Sequence, residues 1–209
     1  MRTLAFLAIG CAVLSGSPIS LSCQISLGFQ GELTRATIVG PDVDYDYRKG
    51  WGLGAFLHLP VSDMLSVQPE ILYLQKGAYS SVPFGDLLIA LDYVEIPVLL
   101  RISVSVEGTV APYFLVGPAL GFKAGCEITT ELNGDEGKMD CDETGFEVKS
   151  MDFGGVVGTG LSIGAGPGSI HLGARYNHGF TSLDDSEEDW DLGSRAFSFL
   201  AGYSFPIGG

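Results

Sequence analysis

The sequence predicts an all-β chain: an eight-stranded antiparallel up-and-down transmembrane β-barrel whose apolar face turns outward. Three observations predict it. First, eight segments alternate apolar and polar residues with period two, the signature of strands with two unlike faces. Second, the connections between them alternate long and short, so a meander gathers the long ones at one rim and the tight turns at the other. Third, the less apolar face is mostly Gly, Ser and Ala with isolated charges, which is too bare for a solvated exterior but suits a narrow filled lumen. Alternation alone also fits a lipocalin-like barrel with its apolar face inward. The bare second face, the aromatic residues near strand ends (Trp51 and Tyr73 at one rim, Tyr203 and Phe205 at the other) and an export signal favour the inverted arrangement.

The clearest pair of strands lies within Leu65–Val104. In "LSVQPEILYLQKG", Leu65, Val67, Ile71 and Tyr73 share one face, and Ser66, Gln68, Glu70 and Lys76 the other, with Leu72 and Leu74. In "LDYVEIPVLLRISV", Val94, Ile96, Val98, Leu100 and Ile102 oppose Tyr93, Glu95, Pro97, Leu99 and Arg101. Both runs reach the roughly 9–11 residues of a tilted membrane-crossing strand.

Taken in order, residues 1–23 read as a secretory signal peptide. Arg2 supplies the positive start, Leu4–Leu14 the short apolar core, and Ser15, Gly16, Ser17, Ser20 and Ser22 the small residues before a cleavage near Ser22 or Cys23. The remainder, 24–209, is one barrel domain. The first predicted strand, Gln24–Ile38, alternates Ile25, Leu27 and Phe29 with Ser26 and Gly28. A polar break with Asp42, Asp44 and Asp46 leads to the second, "WGLGAFLHLP", whose Trp51, Leu53, Ala55, Leu57 and Leu59 oppose Gly52, Gly54, Phe56 and His58. A tight turn at Pro60–Asp63 joins it to the third strand, which ends at Gly77. "AYSSVPFGDLLIA" reads as a longer excursion before the fourth. The fifth, "PYFLVGPALGFKAG", sets Phe114, Val116, Leu120 and Phe122 against Leu115, Gly117, Ala119, Gly121 and Lys123. After the polar segment Cys126–Lys149 comes the sixth, "MDFGGVVGTGLSIGAG", with Phe153, Val157, Leu161 and Ile163 opposite Asp152, Gly154, Gly158, Gly160 and Ser162. "GPGS" turns into the seventh, "IHLGARYNHGF", where His171, Gly173, Arg175 and Asn177 share the less apolar face. An acidic loop precedes the eighth, "RAFSFLAGYSFPI", with Phe197, Phe199, Ala201, Tyr203 and Phe205 on its apolar face.

Charge excludes some functions. The formal net charge is −14, and removal of Arg2 makes it −15. No Lys/Arg cluster is present, so a nucleic-acid partner is not expected. No run of about 18 apolar residues follows the signal, so no membrane helix is expected. Seventeen of the 25 acids fall in predicted long loops on one rim. Such an oxygen-rich rim suits divalent cations, although no spacing matches a calcium loop and the plain alternative is a solvated, self-repelling loop set. Cys126 and Cys141 lie in one polar segment. In an exported chain they are placed for a disulfide, closing a loop of about 15 residues worth on the order of 3 kcal/mol; two unpaired thiols are the alternative.

The segments "LSVQPEILYLQKGA", "LDYVEIPVLLRI", "PYFLVGPALGF", "DFGGVVGTGLS" and "ARYNHGFTSL" together resemble the small porin-like outer-membrane β-barrel proteins, including PorT-like proteins. The resemblance runs from about Gln24 to the C-terminus. It implies an eight-stranded barrel in the bacterial outer membrane, in contact with outer-membrane lipid and lipopolysaccharide. It implies little about activity. The chain departs from the pattern in ending "GYSFPIGG" rather than on an aromatic residue.

The candidate site residues are the charges on the lumen face: Glu70, Lys76, Glu95, Arg101, Asp152 and Arg175. Charges there are costly to bury unless paired, so they are expected to form an ionic network across the lumen, with Glu70 and Glu95 facing Arg101 and Arg175. The expected function is that of a small non-enzymatic barrel, structural or loop-presenting, with no cofactor and no metal. Trp190, within "SEEDWDLG", is a candidate loop contact for a protein partner, or else a girdle or loop-packing residue. A narrow porin or secretion-associated barrel is the first alternative. An outer-membrane enzyme is the second, using His58, His171 or His178 beside Ser or Asp.

Overall fold

The computed structural model describes residues 24–40, 43–82, 85–104, 109–132, 135–141, 148–182 and 192–207. The predicted signal peptide, Trp190 and the six acids of the last predicted loop lie outside these residues.

The described strands are β1 (Ser26–Gly40), β2 (Val43–Asp44), β3 (Asp46–Pro60), β4 (Leu65–Val82), β5 (Gly85–Ser103), β6 (Val110–Leu132), β7 (Asp135–Asp140), β8 (Met151–Ala165), β9 (Gly168–Gly179) and β10 (Gly193–Pro206). Eight of them form a closed antiparallel ring in the order β1, β3, β4, β5, β6, β8, β9, β10. Ladder pairing from Ser26↔Pro206 to Val39↔Gly193 closes it. Closure satisfies every ring strand on both sides and leaves no ring edge to pair elsewhere. β2 is a short return on β1, and β7 folds back on β6.

Alternation decides what faces where. Ile71, Val98 and Phe199 are 55%, 46% and 62% exposed on the outside, whereas Glu70 and Arg101 are 4% and 3% exposed inside. Left in water, each large apolar side chain would forfeit about 1.5–3 kcal/mol relative to burial; a hydrocarbon surround removes that cost. The outside also carries paired aromatics, Trp51 with Tyr73 at 5.5 Å and Phe197 edge-on to Phe199 at 5.0 Å.

One rim holds the β3–β4 turn, the β8–β9 turn and both ends of the ring, Ser26 and Pro206. The β8–β9 turn is Gly166–Pro167, closed by Ala165↔Gly168. Gly166 has φ +61°, where a Cβ would be strained, and Pro167 fixes the next φ. In outer-membrane barrels such short turns face the periplasm.

The strands on the opposite rim are longer than the sequence predicts. Within "AYSSVPFGDLLIA", Ala78–Val82 and Gly85–Ala90 are strand rather than loop: β4 and β5 stay in register from Leu72↔Glu95 up to Val82↔Gly85. β6 likewise continues through Cys126 to Leu132. Above the membrane level the strand polarity inverts, because water now lies outside. Ala78, Ile89, Leu91, Tyr93 and Cys126 point inward and join Ile38, Cys141, Val148 and Leu192 in an apolar cluster over the barrel mouth.

A β-bulge makes this possible on β6. Asp92 pairs with Gly125 but Tyr93 with Lys123, so Ala124 is the extra residue. One inserted residue shifts the inward set to the other parity. Lumen-facing Leu115 and Ala119 have odd numbers; beyond the bulge it is Cys126 that turns inward. It is disulfide-bonded to Cys141, with Cα atoms 5.5 Å apart, and this bond ties β6 to the chain beyond β7.

Candidate functional site

The lumen is filled in tiers. At the middle, Arg175 from β9 is fully buried between two carboxylates. Its Nη2 is 2.5 Å from Glu32 Oε1 on β1, and its Nη1 donates to Glu70 Oε2 on β4 at 2.8 Å. Amide side chains complete the hydrogen bonding of the Glu70 carboxylate. Gln30 Nε2 donates to Oε2 at 2.9 Å and Gln68 Nε2 to Oε1 at 2.7 Å.

Toward the long-connection rim, Lys76 Nζ meets Glu95 Oε2 at 2.6 Å, and Asn177 Nδ2 donates to Glu95 Oε1 at 2.7 Å. Asp152 accepts from Ser194 and from Thr181, each at 2.9 Å. The space left among Lys76, Glu95, Asp152 and Asn177 is about 10 Å³, room for no more than about one water.

Toward the short-turn rim, the Arg101 guanidinium lies 3.8 Å from the centre of the Tyr113 ring. Its Nη1 donates to Gln68 Oε1 at 3.1 Å and its Nη2 lies 3.4 Å from His171 Nδ1. His171 Nε2 is 2.8 Å from Ser204 Oγ, and His58 Nε2 is 2.6 Å from Ser66 Oγ. Glycines make room for the rings here. A Cβ at Gly28 would collide with Phe56, and one at Gly160 with Tyr113. Leu99, Leu115, Ala119 and Val156 pack with Tyr113 as an apolar wall beside the polar column.

The partners differ from the expected arrangement in three ways. Glu95 pairs with Lys76 rather than with an arginine. Arg101 has no carboxylate within ion-pair distance among the described residues and uses Gln68, His171 and the Tyr113 ring instead. Asp152 is held by hydroxyls. The physical reason is shear: closing a tilted sheet sets residues of distant strands at heights that linear sequence does not show. Sequence reading also passed over Glu32, the second carboxylate on Arg175. Its signal was present, since Gln30, Glu32 and Thr34 continue the inward parity of Gly28.

The two His–Ser pairs lack the features of a nucleophile–base dyad. An arginine can only donate. The Arg101–His171 contact therefore makes Nδ1 the acceptor and leaves the proton of the neutral imidazole on Nε2, which donates to Ser204. A general base needs the reverse. No carboxylate orients the other nitrogen of His58 among the described residues. No group of three or more His, Cys, Asp or Glu among those residues could hold a metal ion.

Comparison with known proteins agrees with this architecture. A family model described as "Outer membrane protein beta-barrel domain" matches residues 17–185. A search of curated proteins gave no match. Among solved structures, Neisserial surface protein A is similar with a TM-score of 0.54 at 15% identity, over 88% of this chain and 97% of that one. Ail, the attachment invasion locus protein of Yersinia pestis, gives 0.43 at 16% identity, over 87% and 98%. The outer membrane enzyme PagL gives 0.48 at 13% identity, over 85% and 99%. At these identities the likeness to Neisserial surface protein A speaks for the fold alone. With the family model covering most of the chain and eight strands closing inside-out, the chain belongs to the outer membrane protein beta-barrel domain family and is a small β-barrel of the bacterial outer membrane.

Proposed function

We propose that this protein is a non-enzymatic, non-conducting barrel that anchors a disulfide-tied outer structure and presents the surface above it. The carrying observation is the packed lumen: Arg175 bridges Glu32 and Glu70 across the middle, and the gap beside Lys76 and Glu95 is about 10 Å³. Over it sits the apolar cluster that includes Ile89, Leu91 and Tyr93. A hydrated ion would have to displace both. Against catalysis stands the His171 tautomer, which points its proton at Ser204 rather than accepting one.

The extended β4–β5 hairpin and the β6–β7 hairpin are the parts available for presentation. β7 is exposed throughout and carries Asp135, Glu136, Lys138 and Asp140, charges of the kind that discourage strand addition. The test is a planar-bilayer recording of the purified barrel. Closed traces at 100 mV are expected. Stable steps of hundreds of picosiemens would refute the plugged lumen. In parallel, deletion of residues 133–147 is expected to leave assembly intact while removing any partner binding.

A further inference from the structure

The outward faces of β3, β1, β10 and β9 share a pattern. Toward the long-connection rim, Trp51 is followed two residues on by Lys49, Leu33 by Arg35, Phe197 by Arg195 and Tyr176 by His178. The ladder brings these positions together. Lys49 is directly opposite Arg35, Arg195 is opposite Thr37 on the Arg35 strand, and His178 is opposite Arg195. Arg35, Lys49 and Arg195 are exposed. On the other side of the barrel the outward apolar runs end on Gln75, Asp92 and Glu127 instead.

Like charges directly opposite on an antiparallel pair repel. Among the described residues no carboxylate lies within ion-pair distance of Arg35, Lys49 or Arg195. A chain with 25 acids and 11 Lys and Arg has gathered three of its cations, without an acid partner among the described residues, just above its lipid-facing belt. Directly below them runs a groove of about 430 Å³, with Leu33, Trp51, Leu53 and Phe199 as ridges and Gly31 and Ala201 as floor. A second groove of about 720 Å³, which shares Gly31, Leu53 and Ala201 with the first, passes Phe29, Ala55 and Ile71.

We infer that this face binds a phosphorylated glycolipid of lipid A type. Its phosphate sits among Arg35, Lys49 and Arg195, and one acyl chain lies in the groove floored by Gly31 and Ala201. Arginine forks suit phosphate oxygens. The cations lie on the rim opposite the short turns, the outer-leaflet side, which selects the outer-leaflet lipid over an inner-leaflet phospholipid. The inference rests on membership in the outer-membrane family and is independent of whether the lumen conducts.

The test uses the folded full chain in detergent, titrated with bisphosphorylated hexa-acyl lipid A, the same lipid after dephosphorylation, and phosphatidylglycerol, with bound lipid read by native mass spectrometry. A cation near an anionic lipid surface contributes about fivefold, so the triple substitution Arg35→Gln, Lys49→Gln, Arg195→Gln is expected to weaken lipid A binding on the order of a hundredfold. Gly31→Phe, whose Cβ meets nothing nearer than Leu53 at 3.5 Å, fills the groove and is expected to weaken binding with the cations intact. Heat-modifiable gel migration confirms that each variant is folded. Unchanged binding by the folded triple variant, or equal binding of dephosphorylated lipid A, overturns the site. Equal binding of phosphatidylglycerol overturns the choice of lipid.

Discussion

Replacing Arg175 with methionine is the sharpest test of the lumen. Arg175 is fully buried and holds Glu32 at 2.5 Å and Glu70 at 2.8 Å. Methionine keeps the aliphatic stem, ends short of the guanidinium and removes the charge. Glu32 and Glu70 then remain, two carboxylates inside the barrel with their cation gone. Breaking a buried pair by removing one partner costs about 3–5 kcal/mol, because the other charge is left uncompensated. Glu70 retains Gln30 and Gln68, so the lower half of that range is expected. Removing all three charges, as Arg175→Met with Glu32→Gln and Glu70→Gln, removes the uncompensated charge and is expected to restore most of the loss. The assay is urea unfolding of the barrel in lipid vesicles, followed by heat-modifiable gel migration and tryptophan emission. If Arg175→Met unfolds within about 0.5 kcal/mol of the parent, the network does not hold the barrel as argued. If the triple variant is worse than the single one, the cost lies in lost hydrogen bonds rather than in stranded charge.

Other perturbations separate the remaining features. Val157→Arg places a charge on the lipid face in the middle of β8, where Val157 is 53% exposed; a loss of about 2–4 kcal/mol is expected by the same urea assay. Cys126→Ser with Cys141→Ser opens a loop with a sequence separation of 15, worth about 3 kcal/mol in the chain-entropy model. Limited proteolysis is expected to cut near residues 133–147 while the barrel core keeps its gel shift. Gly160→Val drives a side chain against Tyr113 and is expected to abolish the folded gel band, whereas Gly164→Val, where the nearest atom is 3.8 Å away, is expected to keep it.

The parity of the strands was written in the sequence. Glu70, Glu95, Arg101, Asp152 and Arg175 share the inward face because alternation is a local property, fixed residue by residue by the pleat. The same rule indicated eight crossings and a rim of tight turns. It also contained Glu32, two residues beyond Gln30, although a lone acid in a strand rich in Gly and Thr carries little local emphasis. Where the strands end was not legible. Ala78–Val82 and Gly85–Ala90 look like loop because their polarity inverts once the surround changes from lipid to water, and a pattern read against one solvent misreads segments standing in another.

Which charge meets which belonged to the tertiary structure alone. Glu95 reaches Lys76 on the neighbouring strand, Arg175 reaches across to Glu32 and Glu70, and Arg101 ends on Gln68, His171 and Tyr113. Cys126 turns inward to meet Cys141 because β6 carries one extra residue at Ala124, which a repeating pattern cannot reveal until the partner strand is laid beside it. Facing follows from the pleat of a single strand, whereas height across a lumen follows from tilt, shear and bulges summed around a closed ring.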